Sequence, residues 1–464
     1  MENQSRKAHS NNLDPTILRE YDIRGIFGKT LNENDAYNIG LAFGTLVQRR
    51  TPGKSVAVGY DGRLSSPTLC ESLIAGLIES GCDVAKIGLG PSPMLYFADQ
   101  KLKCDGAVMI TGSHNPKDHN GFKFVLSHGS LYGEDIKEIG RIISAKDYSR
   151  GSGSSKTVDI FDSYIDILQQ AYTGNKALKI AWDPGNGAAG EVVSALAKKL
   201  PGEQIVINPK IDGNFPSHHP DPTEPENLEQ LIECVKKESC DFGVAFDGDG
   251  DRIGVVDNRG RMLAGDQLLV IFARSILPKN PGATIIADIK SSKFFTDGVR
   301  EAGGNPIIWK SGHSLIKAKM RETKALLAGE MSGHIFFADK YFGYDDGIYA
   351  AVRIMDVIAG STKSLDKIID DFPVMHNTPE YRIPCPDNQK FTVVESIKSR
   401  LKKSSVKFLD IDGVRVEKPD GWWLLRASNT QAALSARCEA TSAKKLIEIK
   451  NEMLGELKKE GVKV

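Results

Sequence analysis

Residues 240–252 read Cys-Asp-Phe-Gly-Val-Ala-Phe-Asp-Gly-Asp-Gly-Asp-Arg. The apolar run from Phe242 to Phe246 has the composition of a buried strand. It stops at three alternating carboxylates, Asp247, Asp249 and Asp251, separated by Gly248 and Gly250 and closed by Arg252. Carboxylates this close repel one another unless a cation lies between them, and the glycines let the backbone curl so that the oxygens converge. An all-carboxylate set suits a hard divalent ion, Mg²⁺ above all, and leaves room for water or phosphate oxygens. A solvated acidic turn is the competing account. It leaves unexplained why the aspartates stand at the carboxyl end of a strand, where α/β folds place ligands.

Working outward, the same alternation of strand, polar loop and helix recurs. Residues 33–50 carry Ala36, Ile39, Phe43 and Leu46 at helical spacing, and Ser55 to Gly59 reads as a strand running into Tyr60-Asp61-Gly62-Arg63. A helix is expected over 66–80, a strand near Val84 to Ile87, and a loop at Gly90-Pro91-Ser92-Pro93. The strand from Cys104 to Ile110 empties into Thr111-Gly-Ser113-His114-Asn115-Pro116. A second copy runs from Leu178 to Trp182, ends in Asp183-Pro-Gly-Asn-Gly, and leads to the aspartate strand. A third begins at Thr284 and closes with Ala325 to Ala328 emptying into Gly-Glu330-Met-Ser332-Gly-His334. Self-similarity of this kind argues for repeated α/β units. Beyond Phe372, four prolines between 373 and 386 and short alternating segments predict a small α+β domain with an antiparallel sheet.

The expected organisation is therefore α/β, with three tandem related domains and a C-terminal α+β domain around a central cleft. The expected spans are a flexible tail over 1–17, then domains over 18–157, 158–261, 262–372 and 373–464. Sixty basic residues balance sixty acidic ones, which argues against a nucleic-acid footprint or a membrane-binding patch. No apolar run approaches the ~20 residues of a membrane span. Seven scattered cysteines without CxxC spacing read as reduced thiols in a cytoplasmic protein.

Four loops carry candidate chemistry. Ser113, just past a strand beside His114, suits a nucleophile or phosphate carrier; a simple Ser/Asn turn accounts for the same residues. Lys123, between Phe122 and Phe124, is expected to have its pKa lowered by desolvation toward the range of proton transfer; an exposed strand lysine is the plainer account. Glu330, Ser332 and His334 offer an acceptor, a hydroxyl and an imidazole suited to sugar hydroxyls, or form a polar turn. Arg426, Ser428, Asn429 and Thr430 form a phosphate cradle without a Gly-rich loop, or a hairpin connection.

Taken together and in order, these loops resemble the α-D-phosphohexomutase superfamily, in particular bacterial phosphomannomutase/phosphoglucomutase enzymes. Tyr21-Asp-Ile-Arg24-Gly matches that family's N-terminal signature. The resemblance implies that Ser113 carries a phosphoryl group, passes it to a hexose phosphate, and recovers one from the resulting hexose 1,6-bisphosphate after the sugar turns end for end. It implies Mg²⁺ held by Ser113, Asp247, Asp249 and Asp251, with positive charge from Arg24, Lys123 and Arg252. Lys123 becomes the general acid/base, with His114 assisting. Glu330 and Ser332 hold the sugar O3 and O4, and Arg426, Ser428, Asn429 and Thr430 grip the phosphate that is not transferred. Tyr21, Lys290, His313 and His334 fall at substrate-contacting positions.

The implied partners are small sugar phosphates, with no nucleic acid or membrane, and the implied assembly is a monomer or weak homo-oligomer. Three other activities share parts of the pattern. A phosphoglucosamine mutase belongs to the same superfamily. A Mg²⁺-dependent sugar phosphatase would use an aspartyl nucleophile and leave Ser113 without a role. A non-catalytic sensor would leave the whole reactive set idle.

Overall fold

The computed structural model describes residues 13–428 and 432–462. Its first long helix, Glu33–Arg50, starts where Asn32 accepts from the backbone N–H of Asn34 and Asp35 while Asp35 returns a bond to the N–H of Asn32. Such reciprocal caps satisfy amides that have no partner within the helix. The next helix, Ser66–Ser80, ends at Gly81 with φ of 102°, a left-handed stop. Both spans match the expectation from sequence.

Two expectations need correction. Gly90-Pro91-Ser92-Pro93 is not all loop, because Ser92 begins the helix Ser92–Leu102. Proline suits a first helical turn, where its missing N–H costs nothing. The ordered fold also begins before residue 18. Asp14 caps a short 3-10 helix, Pro15–Ile17, and Ile17 is buried in the first core. Of the expected tail, residues 1–12 lie outside the described chain.

The three α/β units share one plan. Each sheet contains three parallel strands followed by an antiparallel return, and the first adds a fourth parallel strand, Ser155–Thr157, at its edge. In the first, Asp83–Leu89, Ser55–Tyr60 and Gly106–Ile110 run parallel, and His119–Leu126 returns beside the last. In the second the set is Gly202–Val206, Leu178–Asp183 and Phe242–Phe246, with Ile253–Asp257 returning. In the third it is Asn305–Trp309, Thr284–Asp288 and Leu327–Gly329, with Ile335–Phe337 returning. The Ser113 loop, the aspartate loop and the Glu330 loop are thus one topological connection used three times, the turn from the third parallel strand into its return.

The fourth sheet is antiparallel throughout, and the helices Asp387–Lys403 and Ala443–Lys459 pack on it. The largest core joins units rather than filling one. Met94 to Ala98 of the helix Ser92–Leu102 pack in one apolar cluster with Trp182 and Phe246 of the second unit and Phe272 and Ile348 of the third. That shared core fixes the three loops against one another.

The fourth unit is tied to the third through the loop after Asp288. Arg415, fully buried, lies over the Trp422 ring at 4.0 Å and donates to the carbonyls of Ile289 and Ser291, each at 2.7 Å. Glu439 accepts from Ser292 Oγ, Lys293 N and Trp422 Nε1. Among the described residues, no helix is long and apolar enough to cross a membrane, and all seven cysteines are unpaired.

Candidate active site

Ser113 stands in the left-handed region, with φ of 49°, an uncommon conformation for a residue with a side chain. Its hydroxyl donates to Asp247 Oδ2 at 2.7 Å and lies 3.2 Å from His114 Nδ1. Gly248 makes this approach possible, since a Cβ there would sit 2.4 Å from the Ser113 carbonyl. The connections of the first and second units therefore touch, backbone against backbone.

Asp247, Asp249 and Asp251 are each fully buried, with carboxylate oxygens within 4.8 Å of one another. Asp249 Oδ1 and Asp251 Oδ1 have no hydrogen-bond partner. Burial, then the neighbouring Asp249 and Asp251, push the Asp247 carboxyl well above its ordinary range. Buried acceptors without donors, on hard oxygen ligands, are what a divalent cation satisfies, so these residues fit such an ion. Asp251, His334 and Asp345 also converge, but there Lys317, 2.8 Å from Asp345, already supplies the counter-charge.

Lys123 departs from the expectation. It is neither an exposed strand lysine nor one of lowered pKa. Its ammonium bonds Asp249 Oδ2 at 2.7 Å and Asp251 Oδ2 at 2.5 Å. Burial works against the charge, but the two carboxylates outweigh it and hold the pKa well above the usual lysine value. Flanking phenylalanines reported desolvation correctly; the carboxylates facing Lys123 lie more than a hundred residues away.

Ser113, Lys123 and the three aspartates form a layer behind the wall of a cavity of about 680 Å³. All four units build that wall: Tyr21, Arg24 and His114 from the first, Arg252 from the second, Lys290, His313, Glu330, Ser332 and His334 from the third, and Arg426 and Ser428 from the fourth. Asn429 and Thr430 lie outside the described residues. Arg24 is held by Asp22 at 2.7 Å and reaches Asn115 Oδ1 at 2.7 Å. Arg252 donates to His334 Nε2 at 3.0 Å, and the two residues pair as a backbone bridge, stitching the second connection to the third.

Tyr21 donates to the Ser311 carbonyl at 2.9 Å, and its ring meets His313 edge-on at 6.2 Å. Glu330 accepts from the Gly312 N–H at 2.6 Å, and burial raises its pKa. Lys290 lies 3.8 Å from Asp288 and 3.7 Å from Glu380. Arg426 pairs with Asp412 at 3.1 Å. Burial, then Arg252 and Arg24, hold the His114 pKa well below the usual histidine value. His313 is likewise held low, by burial and then Lys317.

The wall also contains Arg19 and Arg382, which the reading of the sequence passed over. Six arginines and lysines line the cavity against three carboxylates, Asp22, Glu330 and Glu380. A chain of zero formal charge thus concentrates cations at one place, as binding of a multiply charged anion requires. Ser92 was also unread: its hydroxyl donates to Asp249 Oδ2 and its N–H to the Asp249 carbonyl, docking a helix start of the first unit on the aspartate loop.

The chain matches four consecutive family descriptions: phosphoglucomutase/phosphomannomutase alpha/beta/alpha domain I over residues 15–150, domain II over 162–260, domain III over 264–375, and the C-terminal domain over 380–456. It is 44% identical over 452 residues to a phosphomannomutase/phosphoglucomutase of Pseudomonas aeruginosa, covering 97% of each chain. A phosphoglucomutase of Neisseria gonorrhoeae is 41% identical over 440 residues, covering 94% of this chain and 95% of that one. A crystal structure of a phosphoglucomutase/phosphomannomutase family protein from Burkholderia thailandensis superposes with a TM-score of 0.92 at 40% identity, covering 97% of this chain and 99% of that one. With every one of the four domains present and in order, the chain belongs to the phosphoglucomutase/phosphomannomutase family.

Proposed function

We propose that this protein is a phosphohexomutase, interconverting hexose 1-phosphate and hexose 6-phosphate, of mannose, glucose or both, through a phosphorylated Ser113 and a hexose 1,6-bisphosphate. The contact that carries this reading is Ser113 Oγ on Asp247 Oδ2, at the meeting of the acidic layer and the cation-lined cavity. A phosphatase working through an aspartyl nucleophile would need neither that serine nor a phosphate grip in a separate unit.

The residues divide the work. Asp247, Asp249, Asp251 and Ser113 Oγ would hold a divalent ion, Mg²⁺, which when bound offsets charge on a moving phosphoryl group. Lys123, kept charged by its carboxylate partners, serves as a fixed positive charge beside Ser113 and the acidic layer. His114, kept neutral and 3.2 Å from Ser113 Oγ, accepts a proton. Arg24 and Arg252 draw the incoming phosphate's oxygens toward Ser113. Glu330 and Ser332 hold the sugar O3 and O4, which stand in similar places in either orientation of the ring, while Lys290, His313, His334 and Tyr21 orient it. Arg426, Ser428, Asn429 and Thr430 grip the phosphate that stays.

The fourth unit closes over substrate, keeping water from the phosphoserine and the bisphosphate. The protein works in the cytoplasm, in keeping with its unpaired thiols.

The test is turnover of glucose 1-phosphate and mannose 1-phosphate with Mg²⁺ and catalytic glucose 1,6-bisphosphate, alongside intact mass before and after exposure to the bisphosphate. Mutase turnover with one phosphoryl group gained on Ser113 is expected. Phosphate release without isomerisation would sink the proposal. Low-angle scattering should contract when sugar phosphate binds, and unchanged profiles would remove the closure step.

A further inference from the structure

The φ of 49° at Ser113 has to be enforced by its surroundings, and the surroundings converge on one side chain. Arg63 is fully buried and absent from the cavity wall. Its Nη2 donates to the carbonyls of Ser113 and Asn115 at 2.6 and 2.7 Å. Its Nη1 donates to those of Pro116 and His119 at 2.6 and 2.9 Å, and its Nε to Asp61 Oδ2 at 3.2 Å. A guanidinium has five N–H groups in a planar fork, and here each has an acceptor.

We infer, building on the mutase reading above, that Arg63 is a positioning residue for phosphoryl transfer, its guanidinium gathering four carbonyls of the 113–119 turn so that the Ser113 hydroxyl stays on Asp247. Asp61 fixes the other end of the turn. It accepts from Thr111 Oγ1 at 2.8 Å and Gly112 N at 3.2 Å, and Thr111 Oγ1 accepts from Ser113 N at 2.8 Å. Gly112 is the seat of the guanidinium, since a Cβ there would lie 2.5 Å from Arg63 Cζ. Phe215 of the second unit lies against the guanidinium, its ring centre 5.4 Å from Cζ. No other charged side chain bonds the carbonyls of this turn among the described residues. Lysine keeps the charge but has three donors and no fork, so it cannot replace Arg63.

The test compares full-length wild type, Arg63→Lys and Gly112→Ala with Mg²⁺, glucose 1-phosphate and glucose 1,6-bisphosphate. Thermal melts confirm the folded fraction at the assay temperature. Gly112→Ala displaces the fork without removing it and stands in should Arg63→Lys fold poorly. Displacement of a reacting group by an ångström costs roughly a hundredfold in rate. The expected result is therefore kcat down about a hundredfold in each variant, with KM for the sugar phosphate within about threefold, because the Glu330 and Ser332 loop and the Arg426 phosphate grip lie in other units and the Arg63 fork bonds neither Tyr21 nor Arg24.

A raised KM with kcat retained, kcat within threefold of wild type in both variants, or losses that match the unfolded fraction in both would overturn the inference. A wild type with no mutase turnover would overturn the functional reading and this inference with it. A wild type that turns over beside variants that do so equally well overturns this inference alone.

Discussion

Ser113 Oγ and Asp247 Oδ2 lie 2.7 Å apart across 134 residues of chain. The contact joins the same topological turn of two successive units. Replacing Ser113 by Ala should lower turnover by on the order of 10⁴-fold or more, as loss of an essential nucleophile does. The variant should take up no phosphoryl group from glucose 1,6-bisphosphate by intact mass. Retention of a tenth of wild-type turnover would exclude the phosphoserine route.

The buried triad predicts a dependence of stability on divalent ions. Mg²⁺ at a hundred times its Kd should stabilise the wild type by about 2.7 kcal/mol, read as a rise in melting temperature. Asp249→Asn and Asp251→Asn should lose most of that rise and most turnover. Chelation should abolish wild-type activity and added Mg²⁺ restore it. Equal melting shifts in wild type and both variants would place the ion elsewhere.

Asp346 supplies a pH dependence of stability. Its buried carboxyl caps the helix Gly347–Gly360 through the Tyr349 N–H and accepts from Tyr164 and Tyr341. Burial raises its pKa to about 6. The folded chain then keeps its proton to higher pH than the unfolded chain, so unfolding releases a proton between about pH 4 and 6 and stability falls as pH rises through that window. The loss amounts to about 3 kcal/mol. Asp346→Asn preserves a good cap and should flatten this slope and raise the melting temperature at pH 7. Parallel stability curves for variant and wild type would contradict the assignment.

Under the proposed function, Glu330 holds the sugar O3 and O4 and makes no contact at C2, where mannose and glucose differ. Glu330→Gln should lower kcat/KM by about 10- to 100-fold, the worth of a hydrogen bond to a charged acceptor. The ratio between mannose and glucose phosphates should stay within about threefold of wild type. A changed ratio would place epimer recognition on this loop.

Arg415 joins the fourth unit to the loop that holds Lys290. Arg415→Met leaves the Ile289 and Ser291 carbonyls without that donor, at about 1–3 kcal/mol each. KM for sugar phosphate should rise about tenfold or more, while phosphorylation of Ser113 by bisphosphate at saturation holds near the wild-type rate. A fall in the latter alone would show that the interface acts on the chemistry instead.

How much of this was legible in the sequence follows from where each interaction lives. The aspartate loop and the Ser113 loop stood out because their pattern is local, polar residues packed into a few positions after an apolar run. The fold class followed from three rounds of the same pattern. Lys123 was misjudged because its pKa is set by Asp249 and Asp251, partners that only the fold supplies. Arg63 sat in plain view after Asp61, yet its role depends on carbonyls of residues 113 to 119, which one-letter text does not display. Ser92 was lost to a pair of prolines that resemble a loop and in fact start a helix.

The cavity wall assembled from all four units bears on how a chain of this kind can change over generations. A substitution that reshapes one side meets three sides that have not moved, so rim residues far apart in the gene are bound to drift in concert. Grafting a quarter of the chain from one lineage onto three quarters from another would join surfaces shaped for different neighbours, however well each piece folded alone. Inheritance should therefore treat the gene as indivisible, even though its architecture is built from repeats.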